Sequence, residues 1–133
     1  MSRSHLHVAA GILFSDSGHV LIAERLCDGP FNGLWEFPGG KIAPGETAAD
    51  ALSRELTEEL GIRVTDSRPL MDLYHEYPDR TVRLEFFVVS AWQGDPVGRE
   101  GQQLRWVHAT ELEAAELLPA DAPVVAVLRD LQA

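Results

Sequence analysis

The 133-residue chain has one cysteine, Cys27, so it can form no internal disulfide and contains no C-x-x-C pair for a structural metal or a dithiol redox step. A lone thiol suits a reducing compartment, and the cytosol is the expected location. Basic charge is also scarce. Eleven Lys and Arg stand against 21 Asp and Glu, for a formal net charge of -10. With acidic residues scattered along the whole chain, a protein that grips nucleic acid by counterion release is excluded. A free nucleotide is still admissible on one condition: an acidic chain must interpose cations between its own carboxylates and a polyphosphate. Long apolar runs are absent as well. The stretch from His7 to Phe14 is brief, follows no basic region and runs into a turn, so neither a signal peptide nor a membrane span is expected. With no repeat, no low-complexity tract and no linker-like block, residues 1–133 read as a single domain, expected to be monomeric.

What is present reads as alternating strands and helices. Val8 to Phe14 and His19 to Glu24 are apolar runs around Ser15-Asp16-Ser17-Gly18, which predicts a hairpin of two buried strands. Asp28-Gly29-Pro30 and Asn32-Gly33 mark a loop before a short segment from Trp35 to Phe37. Leu70 to Tyr77 and Thr81 to Trp92 flank Pro78-Asp79-Arg80 as a second hairpin, and Leu104 to Val107 reads as one more strand. Thr110 to Leu118 and Val124 to Leu131 have helical spacing. The order predicts an α+β fold, an α/β/α sandwich around a central mixed β-sheet.

One helix concentrates the chemistry. Thr47 and Asp50 satisfy a capping-box pattern and Gly61 stands where a left-handed cap is expected, so residues 48 to 60 should be helical. On a helical wheel with Leu52 at zero, Ala48, Ala49, Leu52, Leu56 and Leu60 fall in an apolar arc from about -40° to about +80°. Glu59 falls near about -20°, Glu55 near about -60° and Glu58 near about -120°, so the carboxylates begin inside that arc and run outward. A solvated acidic face would lie opposite the core. Like charges at Glu55 and Glu59 repel across one turn, and divalent cations with a preference for hard oxygen ligands, Mg²⁺ or Mn²⁺, would relieve that repulsion. A glycine-rich approach, Phe37-Pro38-Gly39-Gly40-Lys41 and Pro44-Gly45-Glu46, leads into the helix and lets backbone come close to a ligand.

Gly40, Glu46, Arg54-Glu55-Leu56, Glu58-Glu59 and Gly61-Ile62 together fill every defining position of a Nudix box over residues 40–62, and the chain resembles the Nudix hydrolases, the MutT branch in particular. The likeness continues through Glu36-Phe37-Pro38-Gly39-Gly40-Lys41, Tyr77-Pro78-Asp79-Arg80, Gly98-Arg99-Glu100-Gly101-Gln102 and Pro119-Ala120-Asp121-Ala122-Pro123. It implies a Mg²⁺-dependent pyrophosphohydrolase, with Mn²⁺ as a substitute, that splits a nucleoside triphosphate into a monophosphate and pyrophosphate. By that resemblance the Gly39 carbonyl and Glu55, Glu58, Glu59 and Glu100 would hold metal. Glu55 would position or deprotonate water with Arg54 beside it and Glu46 bracing the loop, and Glu100 is the rival base. Arg25, Phe37, Tyr77, Arg80 and Asp121 would surround the nucleobase, and Lys41 would meet a phosphate. Tyr74, His75 and His108 read as structural, since they show no ligand spacing.

The resemblance implies 8-oxo-dGTP as substrate, with one departure. Relatives that select oxidised guanine carry Asn where Asp121 stands, and an ionised carboxylate accepts hydrogen bonds but cannot donate one to O6. CTP or another modified nucleotide, ADP-ribose, and a non-catalytic nucleotide sensor therefore stay open as alternatives.

Overall fold

The computed structural model describes residues 4–27, 29, 31–112 and 116–132. Seven strands and two α-helices follow one another as β1 (Ser4–Leu13), β2 (His19–Glu24), β3 (Trp35–Glu36), β4 (Gly39–Lys41), α1 (Ala48–Leu60), β5 (Arg63–Tyr77), β6 (Arg80–Gln93), β7 (Leu104–His108) and α2 (Ala122–Gln132). The larger sheet has the order β4-β1-β6-β5, and the smaller β3-β2-β7. β1 runs parallel to β6, from Ser4 beside Arg80 to Leu13 beside Val89, while its other neighbour β4 and the remaining pairs are antiparallel, which makes the larger sheet mixed.

Alternation along β1 builds the sandwich. Ala9 and Leu13 join Leu21, Leu52, Leu56 and Leu60 in a core under α1, whereas Ala10 and Ile12 join Ile22, Phe86, Val124 and Leu128 in a core under α2. Side chains of successive residues thus serve opposite layers, and the α/β/α arrangement expected from the element order is the one observed. Among the described residues no helix is long and apolar enough to cross a membrane.

Three local expectations are corrected. β1 and β2 begin as a hairpin, with Ser15 N–H donating to the His19 carbonyl at 2.8 Å and a single bridge between Phe14 and Val20, but they then enter different sheets. Both strands are apolar on both faces and need cover on each, which a lone two-stranded ribbon does not supply. β5 starts at Arg63 rather than Leu70. Its first half is polar and carries register shifts against β6, so the pairing there is a backbone matter that leaves no apolar alternation to read.

The helix expected over Thr110 to Leu118 falls partly on residues 113–115, which lie outside the described residues. On either side of them the chain is not α-helical: Ala109–Glu111 is one 3-10 turn, Leu112 is extended at ψ 128°, and Leu117 bridges to Trp35. Both leucines are buried, and on an α-helix two residues so spaced would point about 140° apart.

α1 has the predicted bounds. Thr47 Oγ1 accepts the Asp50 N–H at 3.1 Å, and Gly61, at φ 70°, donates its N–H to the Thr57 carbonyl at 3.0 Å. A Cβ on Gly61 would also sit 3.2 Å from Arg99 Cδ. Replacing Gly61 by alanine is therefore expected to lower unfolding free energy by about 1–2 kcal/mol through the left-handed cap alone, measured as a shift of the urea midpoint at unchanged m.

Candidate functional site

The buried stripe of α1 is Ala51, Leu52, Leu56 and Leu60, while Ala48 is half-buried and Ala49 exposed. Relative to expectation the helix is rotated, so that the buried arc runs from about -100° to about +80° and Glu55 and Glu59 lie well inside it. The rotation sets both carboxylates against β4, where glycine makes room. A Cβ on Gly40 would come within 2.3 Å of Glu55 Cδ, and one on Gly39 within 2.0 Å of the Ala9 carbonyl oxygen. Only glycine permits this approach of strand, helix and carboxylate.

Arg54 clasps the loop to the helix. Its Nε and Nη2 donate to the two oxygens of Glu46 at 2.8 and 3.0 Å, its Nη1 to Glu55 Oε1 at 2.9 Å, and its Nη2 also to the Lys41 carbonyl at 3.0 Å. Glu46 in turn accepts the Ala43 N–H at 2.9 Å. Arg54, and after it the Ala43 N–H, hold the Glu46 carboxyl down at about 2. Such a two-pronged guanidinium–carboxylate contact fixes direction as well as distance.

The other glutamates are less evenly matched with partners. Burial pushes the Glu59 carboxyl up to about 8, and the charges of Glu55, Glu100 and Glu36 add to the rise, against one opposing hydrogen bond from the Gly39 backbone. Burial likewise raises Glu55, with Arg54 pulling the other way. Glu58 is exposed and reaches Arg54 at 3.5 Å. Glu100 stands on an exposed turn after β6, which Gln102 ties to α1: Gln102 Oε1 accepts the Glu100 N–H at 2.9 Å and its Nε2 donates to the Glu59 carbonyl at 3.2 Å.

Among the described residues no three acidic, histidine or cysteine side chains already converge at ligating distance. The donor set nevertheless fits a divalent cation. It is all oxygen, burial first and neighbouring carboxylates second raise Glu59 and Glu55, and a positive ion would oppose those shifts.

Beside this cluster a cavity of about 340 Å³ opens between β1, β4, the start of β6 and the turn before α2. Arg25, Phe37, Lys41, Tyr77, Arg80 and Asp121 all stand on its wall, and so do Gly39 and Glu59. Phe37 is fixed through both its ring and its backbone. Its side chain is buried edge-on against Phe86, and its N–H donates to Asp121 Oδ2 at 3.3 Å. Tyr77 meets Phe31 and His75 edge-on, with the Arg80 guanidinium 5.6 Å from its ring centre. Tyr74 is exposed beside Arg83, and His108 stays on the far sheet, its Nδ1 next to the Thr110 hydroxyl.

A second cleft of about 350 Å³ holds Glu100 and Gln102 and shares Arg25, Glu36 and Glu59 with the first. Glu36 was not singled out from sequence. It is paired with Arg25 at 3.1 Å, lines both clefts and acts on both Glu59 and Asp121. Its signal was slight: an acid alternating with Trp35 and Phe37 in a strand too short to show a pattern.

A NUDIX domain model matches residues 5–128. The chain belongs to the Nudix family. It is 40% identical over 126 residues to an 8-oxo-dGTP diphosphatase of Escherichia coli, covering 95% of this chain and 98% of that one. It is also 36% identical over 128 residues to a CTP pyrophosphohydrolase of the same organism, covering 96% and 94%. Among solved structures, a MutT from work on Aliivibrio salmonicida and Vibrio cholerae superposes with TM-score 0.78 at 37% identity, over 94% of this chain and 97% of that chain. The E. coli ORF135 protein superposes with TM-score 0.85 at 35% identity, over 98% and 93%.

In this Nudix chain the Arg54–Glu46 clasp joins the two ends of the box. With its folded pKa at about 2 against the ordinary 4.5, Glu46 adds stability that is complete above the unfolded value and fades as pH falls towards the folded one. The stability difference between wild type and Glu46→Gln should accordingly be full at neutral pH and shrink steadily in acid. Urea unfolding at stepped pH measures it, and a difference that stays constant would remove the clasp.

Proposed function

We propose that this Nudix hydrolase cleaves 8-oxo-dGTP to 8-oxo-dGMP and pyrophosphate. The carrying observation is continuity: a cavity of nucleobase size, walled by Arg25, Tyr77, Arg80 and Asp121, runs without interruption to Gly39 and Glu59 at the carboxylate cluster. A nucleotide lying along it presents its base at one end and its phosphates at the other. The relatives named 8-oxo-dGTP diphosphatase support the choice of base.

Mg²⁺, with Mn²⁺ as a substitute, would be held by the Gly39 carbonyl and by Glu55, Glu58, Glu59 and Glu100. Bound divalent ions neutralise phosphate charge and acidify water. The chain's own groups do the rest. Glu55, half-buried and held by Arg54, is the base that would take a proton from the attacking water. Arg54 fixes the direction of that carboxylate, and Glu46 fixes Arg54. Glu100 is the alternative base, from a turn that Gln102 holds against α1. Lys41, on the wall of the same cavity, would meet a phosphate. In this reading the protein acts as a monomer on free nucleotides in the cytosol.

A second reading, CTP hydrolysis, is favoured by one residue: an ionised Asp121 would accept from an exocyclic amino group but could not donate to O6 of a purine. It is also the printed activity of one relative.

A hydrolysis panel of 8-oxo-dGTP, dGTP, CTP and ADP-ribose in Mg²⁺ and oxygen-labelled water separates these readings. The highest kcat/KM is expected for 8-oxo-dGTP, with pyrophosphate as product, and absence of turnover on every nucleotide would mark a sensor instead. Glu58→Gln and Glu59→Gln should each lower turnover by roughly two orders of magnitude or more while a cooperative unfolding transition is retained, because ligand charge is lost at constant volume. Full activity in either variant would strike that residue from the ligand set.

A further inference from the structure

The C-terminal end of α1 has no basic residue in its last turn, so its open carbonyls must find donors elsewhere. Gly61 supplies one, to the Thr57 carbonyl. Further donors come from the segment that follows β6. Val97 N–H donates to the Leu60 carbonyl at 3.0 Å, Arg99 N–H to the Glu59 carbonyl at 3.0 Å, and Arg99 Nη1 to the Thr57 carbonyl at 3.3 Å. Gln102 Nε2 reaches the same Glu59 carbonyl at 3.2 Å. The main chain of Glu59 is thereby joined twice to the turn that carries Glu100.

That turn is tight. Gly101 N–H donates to the Gly98 carbonyl at 3.0 Å, and a Cβ on Gly98 would come within 2.0 Å of the Gln102 carbonyl oxygen. Glu100 sits exposed at its tip, on the wall of the cleft that also holds Glu59 and Gln102. Its charge and those of Glu55 and Glu59 repel one another. Repulsion of that kind drives an untied loop acid out into water. Against it stands the hydrogen bond from the Glu100 N–H to Gln102 Oε1 at 2.9 Å.

These two contacts specify the chemistry of position 102. One partner is a donor and the other an acceptor, so the position needs both functions on one planar group long enough to span them. Leucine and methionine offer neither function, and an ionised glutamate could accept from Glu100 but could not donate to Glu59. Loss of the amide does not strip the helix end, because the Glu59 carbonyl keeps the Arg99 N–H.

We propose that Gln102 is a positioning residue: its amide bridges the Glu59 carbonyl and the Glu100 N–H, and through that bridge sets where the Glu100 carboxylate stands relative to Glu59. The proposal rests on the role given to Glu100 above, as metal ligand or alternative base. Both ends of the amide are spent on backbone, so the effect of Gln102 on the reaction runs through Glu100.

The test is a double-mutant cycle combining Gln102→Leu with Glu100→Gln, read by Mn²⁺ binding without nucleotide and by kcat and KM on the best substrate of the panel above. Gln102→Met, close to glutamine in length, repeats the removal with a second side chain. In the wild-type background, loss of the amide should weaken Mn²⁺ binding or lower kcat by roughly tenfold or more, with KM changed less. Weaker Mn²⁺ binding marks Glu100 as a ligand, and a lower kcat alone marks it as the base. In the Glu100→Gln background the same substitution should cost roughly twofold or less. A merely structural glutamine would cost as much in either background, so an equal loss in both overturns the proposal, as does no loss in the wild type. If Glu100→Gln alone leaves Mn²⁺ binding and turnover intact, the assignment of Glu100 fails and the proposal falls with it, while the substrate reading stands.

A further readout needs neither metal nor nucleotide. The amide order parameter of Glu100 should lie near roughly 0.85 in the free protein and fall below roughly 0.6 in both Gln102 variants, while the α1 amides keep theirs. A value at Glu100 that ignores the substitution, or one already low in the wild type, would remove the tether.

Discussion

Two like-charged carboxylates on the inward face of one helix are the constraint around which this protein is arranged. Glu55 and Glu59 are one turn apart on α1, inside the arc that Ala51, Leu52, Leu56 and Leu60 bury. Desolvation and mutual repulsion both oppose that placement, and burial raises the pKa of both groups. What keeps the helix in this orientation is the leucine stripe on one side and Arg54 on the other. The guanidinium reaches Glu46, Glu55 and the Lys41 carbonyl together, so helix, loop and β4 are locked by one cation. The absence of side chains at Gly39 and Gly40 then lets the strand lie directly on the carboxylates.

The acids of the site do not share one electrostatic state. Glu46 is held low by Arg54, Glu59 is pushed up by burial and by three neighbouring carboxylates, and Asp121 is pushed up by burial with Glu36 beside it. Burial and neighbouring charge are sufficient to hold one carboxyl low and push two others up within one site. Glu36 couples the last two. Paired with Arg25 and lying where the two clefts meet, it acts on the carboxylate cluster and on Asp121 at once.

The arrangement also explains how a chain of net charge -10 can accept a polyphosphate. Negative charge is concentrated where divalent ions would intervene, while Arg25, Arg80 and Lys41 stand on the wall of the adjoining cavity. A nucleotide spanning the cluster and the cavity would therefore meet different fields within a few side chains of each other.

Local signals in the sequence determined α1 to the residue, because a Thr cap, a glycine at the left-handed end and a leucine stripe act within a few bonds of each other. They determined the family too, since Gly40, Glu46, Arg54, Glu55, Glu58, Glu59 and Gly61 hold fixed spacing along a single segment. The order of strands and helices made the layered α+β fold legible. Tertiary structure alone decided that β1 and β2 part into separate sheets, that β5 extends back to Arg63, and that Leu112 and Leu117 are buried from a chain that is not α-helical at either. Each of these depends on partners far along the chain, which supply backbone pairing or cover that no local pattern encodes. For the same reason only the folded chain could reveal Glu36 beside Asp121. Their electrostatic coupling arises from a short strand and a distant turn brought to one buried wall, where the loss of water, rather than residue type, sets the charge.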